Sequence, residues 1–153
     1  MITDKILNFI DGEYVATDKW YENRNPINNK VIGMVAEAGE KEVDAAVKAA
    51  KAALKGPWGS MSLQKRIELL EALVVEINNR FDDFLEAECA DTGKPKSMAS
   101  HVDIPRGAAN FKVFADMVKN VPTEFFEMST PDGGKAINYG YRRPVGVVGV
   151  ICP

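Results

Sequence analysis

The side chains able to do chemistry are few and far apart. There are two cysteines, Cys89 and Cys152, and one histidine, His101. A thiolate can attack an electrophilic carbon, but an isolated cysteine in an apolar setting reads as a small core residue. Two cysteines form no disulfide framework, and both are expected as free thiols. One histidine cannot supply a zinc-ligand pattern, and with no nucleophile singled out beside it His101 reads as a solvated helix-surface residue. Gly93-Lys94 has the ending of a phosphate-binding loop. However, Glu88 stands where the leading glycine belongs and Pro95 where Ser or Thr would hold magnesium. Gly146 and Gly149 lie three apart inside an apolar run, not in the strand-to-helix turn of a dinucleotide fingerprint. Arg106 follows Asp103 by three residues, the spacing of a first-turn ion pair on a helix. Asp91 falls at the end of a helical pattern, where a turn or last-turn helix residue belongs.

The elements that must position these groups can be read from periodicity. Phe9-Ile10, Asp11-Gly12 and Glu13-Tyr14-Val15 form a hairpin signal, because Asp-Gly supplies the positive φ of a tight primed turn. Trp20 to Arg24 is a second extended stretch, Asn25 to Asn29 a turn, and Val31 to Val35 a strand. Val43, Ala46, Val47, Ala50 and Leu54 lie on one face of a helix that Gly56-Pro57 ends. Ser62 is an N-cap for a helix burying Leu63, Ile67, Leu70, Val74 and Ile77. The pattern resumes at Phe81, Phe84 and Leu85 and stops at Asp91-Thr92-Gly93-Lys94-Pro95. Ile104-Pro105 marks either a kink or a helix start, and Ala108, Phe111, Ala115 and Val118 then share a face. Thr130 to Gly134 is a loop, and Ala136 to Arg142 a strand with alternating tyrosines. Val145 to Ile151 is a continuous apolar run of the kind found in a strand buried on both faces of a parallel sheet. Such a strand needs neighbours, so the sequence is expected to be incomplete.

Composition narrows the function classes. The 153 residues are 46% hydrophobic and 27% charged, with a net charge of -3, which suits one core-forming domain. No basic stripe points to nucleic acid, and no run approaches the ~18 apolar residues of a membrane helix. Met1 to Ile10 lacks the features of a signal peptide. The expectation is a cytoplasmic protein with neither nucleic-acid nor membrane partners.

Four segments, taken in order, carry a resemblance. They are Phe9-Ile10-Asp11-Gly12; Asn25-Pro26 followed by Val31-Ile32; Glu88-Cys89-Ala90-Asp91-Thr92-Gly93-Lys94-Pro95; and Arg143-Pro144-Val145-Gly146-Val147-Val148-Gly149-Val150-Ile151-Cys152-Pro153. Together they resemble the N-terminal region of the aldehyde dehydrogenase superfamily over essentially the whole chain. Ala53 to Gly59, Asp103 to Phe111 and Thr130 to Gly133 look like its muconic semialdehyde branch. The fold implied is α/β, the incomplete N-terminal part of an aldehyde dehydrogenase cofactor-binding domain. Residues 1–134 would be its β/helical part, 135–144 a strand of the oligomerisation element, and 145–153 the first parallel strand of the dinucleotide-binding sheet.

The resemblance implies NAD as cofactor and a small-molecule semialdehyde carrying a carboxylate as substrate. The reaction implied is oxidation of 2-hydroxymuconate semialdehyde, or its 2-amino counterpart, in aromatic meta-cleavage. A homo-oligomer is implied for the full-length protein. The family's catalytic cysteine and glutamate find no match here, so neither Cys89 nor Cys152 is assigned as nucleophile and the chain alone is expected to be inactive. Arg106 matches the position that reaches the substrate's carboxylate. Ile151, Cys152 and Pro153 match a strand end lining the NAD site, and Asp91 matches a position near a structural monovalent cation in some members. A second reading is non-enzymatic: a short chain that pairs with dehydrogenase subunits through its strands.

Overall fold

The computed structural model describes residues 5–152. Three small sheets flank a stack of helices. Lys5–Ile6 (β1) pairs in parallel with Val31–Ala36 (β5), and β5 pairs antiparallel with Trp20–Arg24 (β4), giving the order β1-β5-β4. Asn8–Ile10 (β2) and Glu13–Val15 (β3) form the expected hairpin. Its two turn residues both have positive φ, Asp11 at 54° and Gly12 at 85°, as a primed turn requires. Asn29, at the expected turn before β5, also has positive φ (58°).

Helix α1 spans Glu40–Ala53. The Glu42 carboxylate accepts from the Gly39 N–H at 2.9 Å, satisfying one donor of the helix start. After a short turn at Pro57–Ser60 (α2), the Ser62 hydroxyl caps Leu63–Asn79 (α3) by accepting from the Lys65 N–H at 3.2 Å. Phe81–Thr92 (α4) follows after a break at Arg80. Lys96–Met98 (α5), a π-helical turn at Ala99–Asp103, and Ile104–Lys119 (α6) run on without interruption. Both readings of Ile104-Pro105 thus hold in part. The regular helix begins at Ile104 with Pro105 in its first turn, and a wider, π-helical turn precedes it.

The core lies where α3 crosses α6. Ile67 of α3 is 2% exposed, Ala108 and Ala115 of α6 are buried, and so is Ala99 in the turn before α6. Small residues on α6 let the two backbones approach closely. An ion pair closes the rim: Lys119 Nζ donates to Glu71 Oε1 on α3 at 2.8 Å and to Asp116 Oδ1 at 3.0 Å.

Two apolar surfaces stay open. The apolar face of α1 is largely open, with Val43 54% exposed; its main neighbours are the hairpin and α2. Val145 to Ile151, which reads as a strand in need of neighbours, forms no ladder among the described residues; Val145 and Ile151 are each 97% exposed. A strand exists only through its partner, and among the described residues none pairs with this run. The expected strand at Ala136 is found as Lys135–Tyr139 (β7). It pairs antiparallel with Phe125–Ser129 (β6), a partner that periodicity did not reveal. The chain exposes 12236 Å², where a compact monomer of its mass exposes roughly 7,600 Å².

Candidate functional site

The polar groups concentrate where α4 ends and the path to α6 begins. Gly93 terminates α4 in the left-handed conformation (φ 72°), and a Cβ there would meet Pro26 Cγ at 2.9 Å. Glycine is therefore required twice over, by the backbone and by the β4–β5 turn packed on it. The turn aims Lys94 back across the junction. Its Nζ donates to Glu88 Oε1 on α4 at 3.2 Å and to Asp103 Oδ1 at 3.0 Å. These bonds, with that to Asp103 the larger, hold the ammonium above the usual lysine range. The second oxygen of Asp103 is buried with no hydrogen-bond partner. One turn earlier, Asp91 Oδ1 accepts from Asn23 Nδ2 of β4 at 2.7 Å. A shallow apolar depression lies between these elements, lined by Ile6, Asn23, Phe84, Glu88, Asp91 and Ile104.

Arg106 is exposed in the first turn of α6, and among the described residues it makes no hydrogen bond or ion pair. The i, i+3 pair with Asp103 that the sequence allowed is not formed, because Asp103 is held by Lys94 instead. Asp91 sits at the end of α4 as its local sequence suggests. No group of three acidic, cysteine or histidine side chains able to hold a metal occurs among the described residues. Asp91 offers one carboxylate, already hydrogen-bonded to Asn23, and no cage around it. Ile151 and Cys152 are exposed in the run after β7; Pro153 lies outside the described residues. The structure joins neither Ile151 nor Cys152 to Arg106 by any hydrogen bond. His101 is exposed, its Nδ1 2.7 Å from the Ser97 carbonyl oxygen, and Cys89 is half-buried and unpaired. Among the described residues, no helix is long and apolar enough to cross a membrane.

The Lys94 bridge escaped the sequence reading. Charges at 88, 94 and 103 share no helical face in sequence, and only the left-handed turn at Gly93 brings them together. The one available signal was that turn glycine, directly before a lysine.

The aldehyde dehydrogenase family model matches residues 14–153. The chain belongs to the aldehyde dehydrogenase family. The 2-hydroxymuconic semialdehyde dehydrogenase of Pseudomonas sp. (strain CF600) is 64% identical over 151 residues, which cover 97% of this chain and 31% of that protein. The 2-aminomuconic 6-semialdehyde dehydrogenase of Pseudomonas sp. is 47% identical over 146 residues, covering 95% and 30%. The structure of an aldehyde dehydrogenase from Bacillus cereus in complex with NAD+ superposes with a TM-score of 0.82 at 31% identity, over 90% of this chain and 28% of that one. The small sheets and helices are thus part of the aldehyde dehydrogenase fold. This aldehyde dehydrogenase chain spans less than a third of the length of the curated relatives it matches.

Proposed function

We propose that this chain is the N-terminal region of an NAD-dependent dehydrogenase that oxidises 2-hydroxymuconate semialdehyde to the diacid, and that Arg106 anchors the substrate's carboxylate. The observation that carries this reading is the 64% identity to an enzyme of that name across nearly the whole chain. The 47% identity to a 2-aminomuconic enzyme makes the 2-amino substrate the second candidate. The exposed, unpaired guanidinium of Arg106 supports the anchoring role, since its planar fork can grip a carboxylate through two parallel hydrogen bonds.

Fixing one end of a substrate that carries a carboxylate at one end and an aldehyde at the other orients the reacting carbon. NAD, when bound, would accept the hydride. Ile151 and Cys152 could form one wall of its site, but exposed as they are they make no cradle, and no step is assigned to them. The exposed edges of β6 and β7 suit subunit pairing by strand addition. Asp91 could give one oxygen to a monovalent cation only with ligands from elsewhere. No residue here matches the family's nucleophile or general base, so the 153-residue chain is inactive by itself.

The test is Arg106→Ala in the dehydrogenase carrying this chain. Losing a charge-assisted hydrogen bond costs about 1.5–3 kcal/mol, or roughly one to two powers of ten in kcat/KM. That loss is expected with the carboxylate-bearing semialdehyde and not with an uncharged aldehyde of similar length. Equal losses with both would make Arg106 structural. NADH formed from an aldehyde by the isolated 153-residue chain would overturn the assignment of its missing catalytic groups.

A further inference from the structure

We infer that Lys94 is a positioning residue: by holding the Asp103 carboxylate against α4, it keeps the neighbouring Arg106 guanidinium unpaired and available to a substrate carboxylate. The inference rests on the proposed role of Arg106.

Asp103 and Arg106 are three residues apart at the start of α6, a spacing at which opposite charges ordinarily pair on a helix surface. They do not pair here. Asp103 Oδ1 is taken by Lys94 at 3.0 Å, and Lys94 is itself anchored to Glu88 Oε1 at 3.2 Å. The carboxylate is thus drawn toward α4, and its other oxygen is buried without a partner. Two features fix this geometry. Gly93, left-handed and packed against Pro26, turns Lys94 back over the junction. The π-helical turn Ala99–Asp103 sets where Asp103 sits relative to α6, and such turns recur at functional sites. Without the lysine, Asp103 would have an unpaired charge one helical turn from an exposed arginine. The resulting pair would compete with substrate for the same guanidinium.

The experiment compares Lys94→Met, Asp103→Asn and the double variant in the dehydrogenase carrying this chain, with the carboxylate-bearing semialdehyde and an uncharged aldehyde of similar length. Lys94→Met is expected to lower kcat/KM about two- to fivefold for the first substrate, the strength of an exposed ion pair, and to leave the second unchanged. Asp103→Asn alone should leave both substrates unchanged. The double variant should recover the loss, because the competing carboxylate is gone. Lys94→Arg should behave as the unaltered enzyme. If Lys94→Met does not fold, Lys94→Gln takes its place with the same expectations. An equal loss with both substrates, or a loss that Asp103→Asn does not reverse, would overturn the inference while leaving Arg106 intact. Failure of the Arg106 reading is separately visible, as an Arg106→Ala variant that does not distinguish the two substrates.

Discussion

Between Glu40 and Lys119 the helices cover one another, if incompletely: α3 and α6 bury Ile67, Ala108 and Ala115, and ion pairs on Lys94 and Lys119 tie neighbouring helices together. Beyond Asn120 the apolar content is nearly as high but little covers it. Phe125 is 74% exposed, the β6–β7 hairpin stands by itself, and the run to Cys152 touches no ladder. The difference is one of range. A helix satisfies its backbone within itself and needs only one packed face, whereas a strand needs a neighbour for its backbone and cover for each apolar face. An isolated two-stranded hairpin is marginal in water for the same reason. Similar hydrophobicity therefore yields a packed unit in one region and an open surface in the other.

The comparison predicts graded responses to substitution. Ile67→Ala should have the largest effect, lowering the stability of the helical region by about 2–4 kcal/mol, the usual cost of emptying a buried aliphatic site. Urea unfolding followed by far-ultraviolet circular dichroism would read it, and a loss below about 1 kcal/mol would show that the α3–α6 contact is not the core. Gly93→Ala should cost less, about 1–2 kcal/mol for the left-handed backbone, with more added if Pro26 cannot move aside. A neutral result in the same assay would mean that the α4 terminus rearranges freely. Val148→Asp, in the exposed run, should change the unfolding midpoint hardly at all, by under about 0.5 kcal/mol. It should also reduce self-association of the chain in sedimentation. A clear destabilisation would place this run in contact with the helices and erase the contrast between the two regions.

Much of the chain before Asn120 was legible from sequence because its signals are local. Asp11-Gly12 specified a turn, Ser62 a cap and Gly93 a stop, each through its own backbone preference. What escaped depended on residues distant in sequence. The parallel pairing of Lys5 with Met34 has no local signature, and neither has the partnership of Phe125–Ser129 with β7. The π-helical turn has no compositional marker. At Val145 to Ile151 the β-branched residues announce a strand that only a neighbouring strand can complete. For the candidate site, Arg106 was singled out through resemblance. Local spacing alone pointed instead to a pair with Asp103, which the lysine at position 94 pre-empts.

The hydrogen bond from Asn23 to Asp91 spans 68 residues, and this separation bears on how the chain is made. Synthesis at 5–20 residues per second delivers Asp91 roughly 3–14 s after Asn23. Through that interval β4 and the β4–β5 turn have neither the end of α4 nor Gly93 to rest on. Closing so long a loop adds little entropy over a shorter one, so the delay is set by synthesis and not by the search. The small sheet must therefore wait, its edges open, for a helix that does not yet exist, and those seconds are when an early strand of this chain can meet the wrong partner.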